Sequence, residues 1–137
     1  MIGMVLVTHG ALAVALRDAV EHVVGKQKNF ATVCIESDAE FESQRAEIAR
    51  RIAEVDAGDG VILLTDMFGG TPSNLAMSLV NQAGVEIIGG VNLPMLVKLT
   101  KIRGNETLTE AVAHAEAAGR KYICNGHELA APCRAAE

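Results

Sequence analysis

The chain alternates short apolar runs with longer stretches in which apolar residues return every three or four positions. Ile2 to Val7 is apolar except for Gly3 and is closed by Thr8-His9-Gly10, which predicts a buried strand. Leu12, Leu16, Val20 and Val23 then recur at helical spacing, and Gly25 ends that helix. Ala31 to Glu36 predicts a second strand, with Val33 and Ile35 on one face. Ser37 with Glu40 has the form of a capping box and opens a helix whose stripe is Phe41, Ile48, Ile52 and Val55. After the Gly58-Asp59-Gly60 turn, Val61 to Asp66 predicts a third strand buried on both faces. Thr71 as N-cap and Pro72 as first helical residue open a helix that buries Leu75, Leu79 and Val80 and stops by Gly84. Val85 to Val91 is a fourth strand, followed by a turn at Pro94 and a short apolar segment. Thr107-x-x-Glu110 opens the last helix, through Val112 to Gly119, and Tyr122-Ile123-Cys124 fits a short edge strand.

Strands alternating with helices predict a single-domain α/β fold: a mainly parallel sheet, helices on both faces and right-handed crossovers. The expected strand order is 2-1-3-4, with room for an antiparallel edge strand. Residues 1–124 form the expected domain and 125–137, which show no period, a C-terminal tail. In such sheets chemistry sits outside the carboxyl ends of the strands, where the strand order switches. His9 and Asp66 lie at the ends of strands one and three, which this order makes neighbours.

That placement suggests a nucleophile. Gly10 gives the backbone room after His9, and a helix starts at once, so its N-terminus would favour an anion placed on the ring. Asp66 would accept from one ring nitrogen and fix the tautomer, leaving the lone pair on the other. Gly69, Gly70 and Thr71 would add backbone N–H groups and a hydroxyl as a cradle for phosphate oxygens. Read singly, each feature has a plainer meaning: a satisfied polar histidine, a turn aspartate, a tight Gly-Gly-Thr-Pro turn with a cap. Pattern alone gives a small α/β domain with an anion site.

Composition narrows the classes. The 137 residues are 50% hydrophobic and 21% charged, a globular balance. A net charge of −5 offers no basic field for nucleic acid, and no apolar run approaches the ~20 residues that span a bilayer. The N-terminus has no basic residue before its apolar run and does not read as a signal peptide. Three cysteines without ligand spacing are expected as free thiols in a reducing cytoplasm: Cys34 and Cys124 as small buried hydrophobes, Cys133 exposed in the tail. His22, His114 and His127 show no metal spacing, so no metal or cofactor is expected, and no Gly-x-x-x-x-Gly-Lys points to direct ATP use. Lys26, Lys28, Lys98 and Lys101 read as solvated faces, and Met67 and Met95 as parts of an apolar docking rim; Phe68 either flanks the site or packs in the core.

Three segments carry a family resemblance: Val5-Leu6-Val7-Thr8-His9-Gly10, Asp66-Met67-Phe68-Gly69-Gly70-Thr71-Pro72-Ser73-Asn74, and Gly90-Val91-Asn92-Leu93-Pro94-Met95-Leu96. In this order they resemble the signature regions of the mannose-type enzyme IIA domain of the bacterial phosphoenolpyruvate-dependent sugar phosphotransferase system, and the likeness runs to about residue 120. The resemblance implies a phosphoryl relay. The histidine matching His9 would take a phosphoryl group from the phosphocarrier HPr and pass it to an enzyme IIB partner. The aspartate matching Asp66 would orient it, the segment matching Gly69 to Asn74 would line the phosphate site, and the protein would be a cytoplasmic homodimer. Asn92 and Pro94 match the third segment without an assigned chemical role. The likeness ends near the end of the chain with no IIB domain after it, so the alternative is a stand-alone regulatory phosphorylation switch acting on another protein. A phosphotransfer subunit serving a dihydroxyacetone kinase is a weaker reading, against which the full Gly-Gly-Thr-Pro-Ser-Asn segment argues.

Overall fold

The computed structural model describes residues 1–38 and 40–128. Four strands, β1 (Gly3–His9), β2 (Phe30–Ile35), β3 (Val61–Thr65) and β4 (Val85–Ile88), form one all-parallel sheet in the order β2-β1-β3-β4. Five helices connect and follow them: α1 (Leu12–Val24), α2 (Phe41–Val55), α3 (Thr71–Met77), α4 (Leu93–Ile102) and α5 (Leu108–Lys121). The chain leaves β1 toward β2 on one side and returns from β3 toward β4 on the other. The switch point therefore lies between β1 and β3, where strand-end loops part and leave a crevice.

Period-two alternation divides the strands between two cores. Met4, Leu6, Ile62, Leu64 and Ile88 face α1, α4 and α5, together with Ala13, Val20, Leu96 and Leu99. Val5, Val7, Val33, Ile35, Leu63 and Val85 face α2 and α3, with Ile48, Ile52, Leu75 and Leu79. β1 and β3 are covered on both faces, which is why they read as unbroken apolar runs.

Several local expectations change. The apolar segment after Pro94 is helix α4: Asn92 caps it by accepting from the Met95 N–H at 3.0 Å, and Pro94 sits in the first turn, where no N–H is needed. No capping box forms at Ser37; α2 starts after Glu40 with no side-chain cap. The capping box at Thr107 and Glu110 is present. Among the described residues no fifth strand forms: α5 runs to Lys121, Tyr122 is its C-cap, and a short 3-10 turn follows at Gly126–Glu128. Cys34 is a free thiol, half-buried on β2. Cys124 is disulfide-bonded and exposed, which corrects the expectation that it is a free, buried thiol. Most of the expected tail, including Cys133, lies outside the described residues.

At the amino end of the sheet Arg103, only 2% exposed, ties three segments together. Its guanidinium donates to the Asn29 carbonyl at 3.1 Å, to the Gln27 side chain at 3.0 Å, and to the carbonyls of Lys28 and Ile2. Burial pushes this guanidinium below its ordinary value, and the carbonyls stand in for the water it has lost.

Candidate functional site

His9 is the last residue of β1, and Asp66 is the first residue beyond β3, so pairing of those strands sets the two side by side. A single carboxylate oxygen, Asp66 Oδ2, accepts from both the His9 backbone N–H at 3.0 Å and the His9 ring at 2.8 Å. The other, Oδ1, accepts from the Met67 N–H at 2.9 Å. Burial alone would raise the Asp66 carboxyl, but the donors from His9 and Met67 outweigh it, and the carboxyl sits below its ordinary value. An ionised carboxylate can only accept. The ring nitrogen facing it, Nδ1, therefore carries a proton, so that in the neutral imidazole the lone pair falls on Nε2.

The surroundings of Nε2 fix what can happen there. The His9 side chain is 51% exposed while Asp66 is 14% exposed, so the ring is anchored on its Nδ1 side and open to solvent elsewhere. The ring lies against Gly70, where a Cβ would fall 2.7 Å from Cε1 and 2.9 Å from Nε2. No side chain fits at that position without moving the imidazole. Gly70 is in extended backbone and is the N-cap of α3, correcting the expectation that Thr71 caps it; Thr71 is the first helical residue.

The loop before α3 is held by Ser73. Its Oγ accepts from the Gly69 N–H at 3.0 Å and donates to the Gly70 carbonyl at 2.9 Å. Ser73 is 1% exposed, and no local pattern in the sequence marked it for this task. Gly69 has φ +98, a conformation that side chains rarely adopt. Its N–H is thus already occupied by Ser73, and its positive φ sets the turn of the loop. Thr71, next along the chain from Gly70, is exposed at the helix start.

Two large apolar side chains border the site in the open: Met67 is 57% and Phe68 55% exposed, with the Phe68 ring packed over Gly89. Met67 is thus exposed beside Asp66, whereas Met95 is buried in the core at 4%, which corrects its place in the expected rim. Asn92 reaches across to α5, donating to the Gly119 carbonyl at 3.2 Å, and serves as a cap and tie. His22, His114 and His127 lie apart from His9 on α1, α5 and the terminal turn, and among the described residues no cluster of side chains could hold a metal ion. No helix among them is long and apolar enough to cross a membrane.

The family model described as the PTS system fructose IIA component matches residues 3–116. The mannose-specific EIIAB component of Escherichia coli K12 is 33% identical over 98% of this chain, which spans only 44% of that protein's length. The fructose-specific EIIA component of Bacillus subtilis is 24% identical over 93% of this chain and 89% of its own. Among solved structures, phosphotransferase component EIIA from Streptococcus agalactiae superposes with a TM-score of 0.82, 22% identity and coverage of 91% of this chain and 97% of the other. The PTS IIA protein associated with the fucose utilisation operon of Streptococcus pneumoniae gives 0.73 at 29% identity, covering 84% and 88%.

Proposed function

The chain belongs to the PTS fructose/mannose/sorbose IIA family of the sugar phosphotransferase system, and from that premise we propose that it carries a phosphoryl group on Nε2 of His9. The donor is an HPr-type phosphocarrier and the acceptor an enzyme IIB partner. The observation that carries this reading is the double hold of Asp66 Oδ2 on the His9 backbone and ring, which leaves Nε2 as the free nucleophilic nitrogen.

In the forward step the Nε2 lone pair attacks phosphorus as the donor's P–N bond breaks, and that bond's electron pair returns to the donor ring. Nδ1 keeps its proton throughout. The phosphorylated ring, substituted on both nitrogens, carries positive charge, which the ionised Asp66 balances. Exchange between two imidazole nitrogens is near-balanced in energy, so the protein's task is positioning and charge stabilisation. The N–H groups at the start of α1, which has no side-chain cap, and the N–H and hydroxyl of Thr71 would meet the phosphoryl oxygens. Met67 and Phe68 supply apolar surface for both partners in turn. The reading takes the carrier to be cytoplasmic and a homodimer, and sedimentation of the purified protein tests the dimer.

The test is phosphorylation with phosphoenolpyruvate, enzyme I and HPr, read by intact mass. The expected result is a gain of one phosphoryl group that is lost in acid, survives alkali and is absent in His9→Ala. No gain, with the donors proven active on another acceptor, would contradict the relay.

A further inference from the structure

A groove of about 550 Å³ runs between α4 and α5, and the phosphoryl chemistry makes no use of it. Its floor is apolar: Leu93, Pro94 and Val97 from α4 and Ala117 and Ala118 from α5, with Val23 of α1 at the side. Its rims are basic. Lys98 and Lys101 stand on α4 and Lys121 on α5, three of the five lysines of a chain whose net charge is −5.

These three lysines form no ion pair within the described residues, and the carboxylates of α5 and of the turn before it have other partners, one of them His114, which also lines the groove. α4 contains no carboxylate. Glu106 is taken by His114 at 2.5 Å, Glu110 closes the capping box with Thr107, and Glu116 pairs with Arg120 at 2.9 Å. The groove therefore presents three lysines without an ion-pair partner among the described residues beside exposed apolar surface, with the His114–Glu106 pair on its α5 side. From Leu93 to Lys101 it extends about 12 Å, roughly two helical turns.

We propose that this groove docks an acidic amphipathic helix of a partner protein. The helix would lay its apolar stripe on the floor and set carboxylates against Lys98 and Lys101 on one rim and Lys121 on the other. Open along one side, the groove suits a helix better than a small molecule, which a binding site normally encloses. An anionic membrane is the poorer fit, since the lysines rim a concavity and the chain as a whole is acidic.

The probe is a labelled synthetic peptide of about 18 residues with leucines at i, i+3, i+4 and i+7 and glutamates flanking that stripe. Its binding to the full chain is read by fluorescence anisotropy, with amide shifts mapping the contact. The expected result is binding confined to α4 and α5 that weakens about tenfold or more in Lys98→Glu/Lys101→Glu and as salt rises, but is unchanged in His9→Ala. Both lysines are exposed, so the double variant should fold, which its thermal melt checks. Equal binding of a peptide with lysines in place of the glutamates would overturn the proposal. So would undiminished binding to the double variant, no binding at about 1 mM peptide, or capture by phosphatidylglycerol vesicles in place of the peptide.

Discussion

At the carboxyl end of the sheet a polar group stands half in water: the His9 ring is 51% exposed and is anchored through one nitrogen only. At the amino end Arg103 is 2% exposed, and its guanidinium is used up on backbone carbonyls and a glutamine. Both ends gather segments distant in sequence, and both rest on hydrogen bonds to charged groups. The difference is what is left over. Arg103 donates all round and can only support, whereas His9 keeps one ring nitrogen uncommitted, the one the proposed transfer uses. Changes at the carboxyl end should therefore cost activity with little stability, and changes at the amino end the reverse.

The sharpest break is His9→Ala, which should abolish phosphoryl acceptance by intact mass while circular dichroism and the melting curve stay close to those of the parent. Asp66→Asn comes next. It loses the charge that balances the phosphorylated ring and allows the wrong tautomer, so the transfer rate should fall roughly 10²-fold or more. An unchanged rate in rapid-quench experiments would reduce Asp66 to a structural tie. Gly70→Ala puts a methyl group where the imidazole sits and should slow transfer about 10- to 100-fold by displacing Nε2. Gly70 has φ −101, so its melting temperature should barely move.

Arg103→Met tests the other end. Losing a donor to several buried carbonyls should destabilise by about 2 kcal/mol in urea unfolding, with phosphoryl acceptance intact wherever the variant is folded. The smallest effect is a pH dependence. Because the Asp66 carboxyl is lower in the folded chain than in the unfolded one, it adds stability above the ordinary carboxylate range. That stability is lost as the pH falls through this range toward the folded value. Urea midpoints of Asp66→Asn should therefore fall less than those of the parent between about pH 5 and pH 3.

The carboxyl end was the more legible of the two in the sequence, for a physical reason. Strands β1 and β3 are apolar runs that end in Thr8-His9 and Thr65-Asp66, and the strand–helix alternation predicts the parallel α/β sheet in which the order β2-β1-β3-β4 brings His9 to Asp66. Arg103 was invisible because nothing around a lone arginine says that distant carbonyls will enclose it. α4 was missed for a local reason: Pro94 reads as a turn when Asn92 is not recognised as the cap two residues before it. Met95, Leu96, Leu99 and Ile102 did carry the helical spacing. The cradle expected at Gly69, Gly70 and Thr71 divides once Ser73 is seen to occupy the Gly69 N–H. One glycine shapes the loop, the other makes room for the ring, and Thr71 stands at the start of α3.

The central claim is that Asp66 reserves Nδ1 and frees Nε2. It is tested most directly by locating the phosphoryl group on the ring itself, by nitrogen–phosphorus couplings in the NMR spectrum of protein labelled with ¹⁵N-histidine and phosphorylated through HPr. The account predicts phosphorus bonded to Nε2 of His9, with Nδ1 still protonated. Phosphorus on Nδ1, or on any residue other than His9, would contradict it.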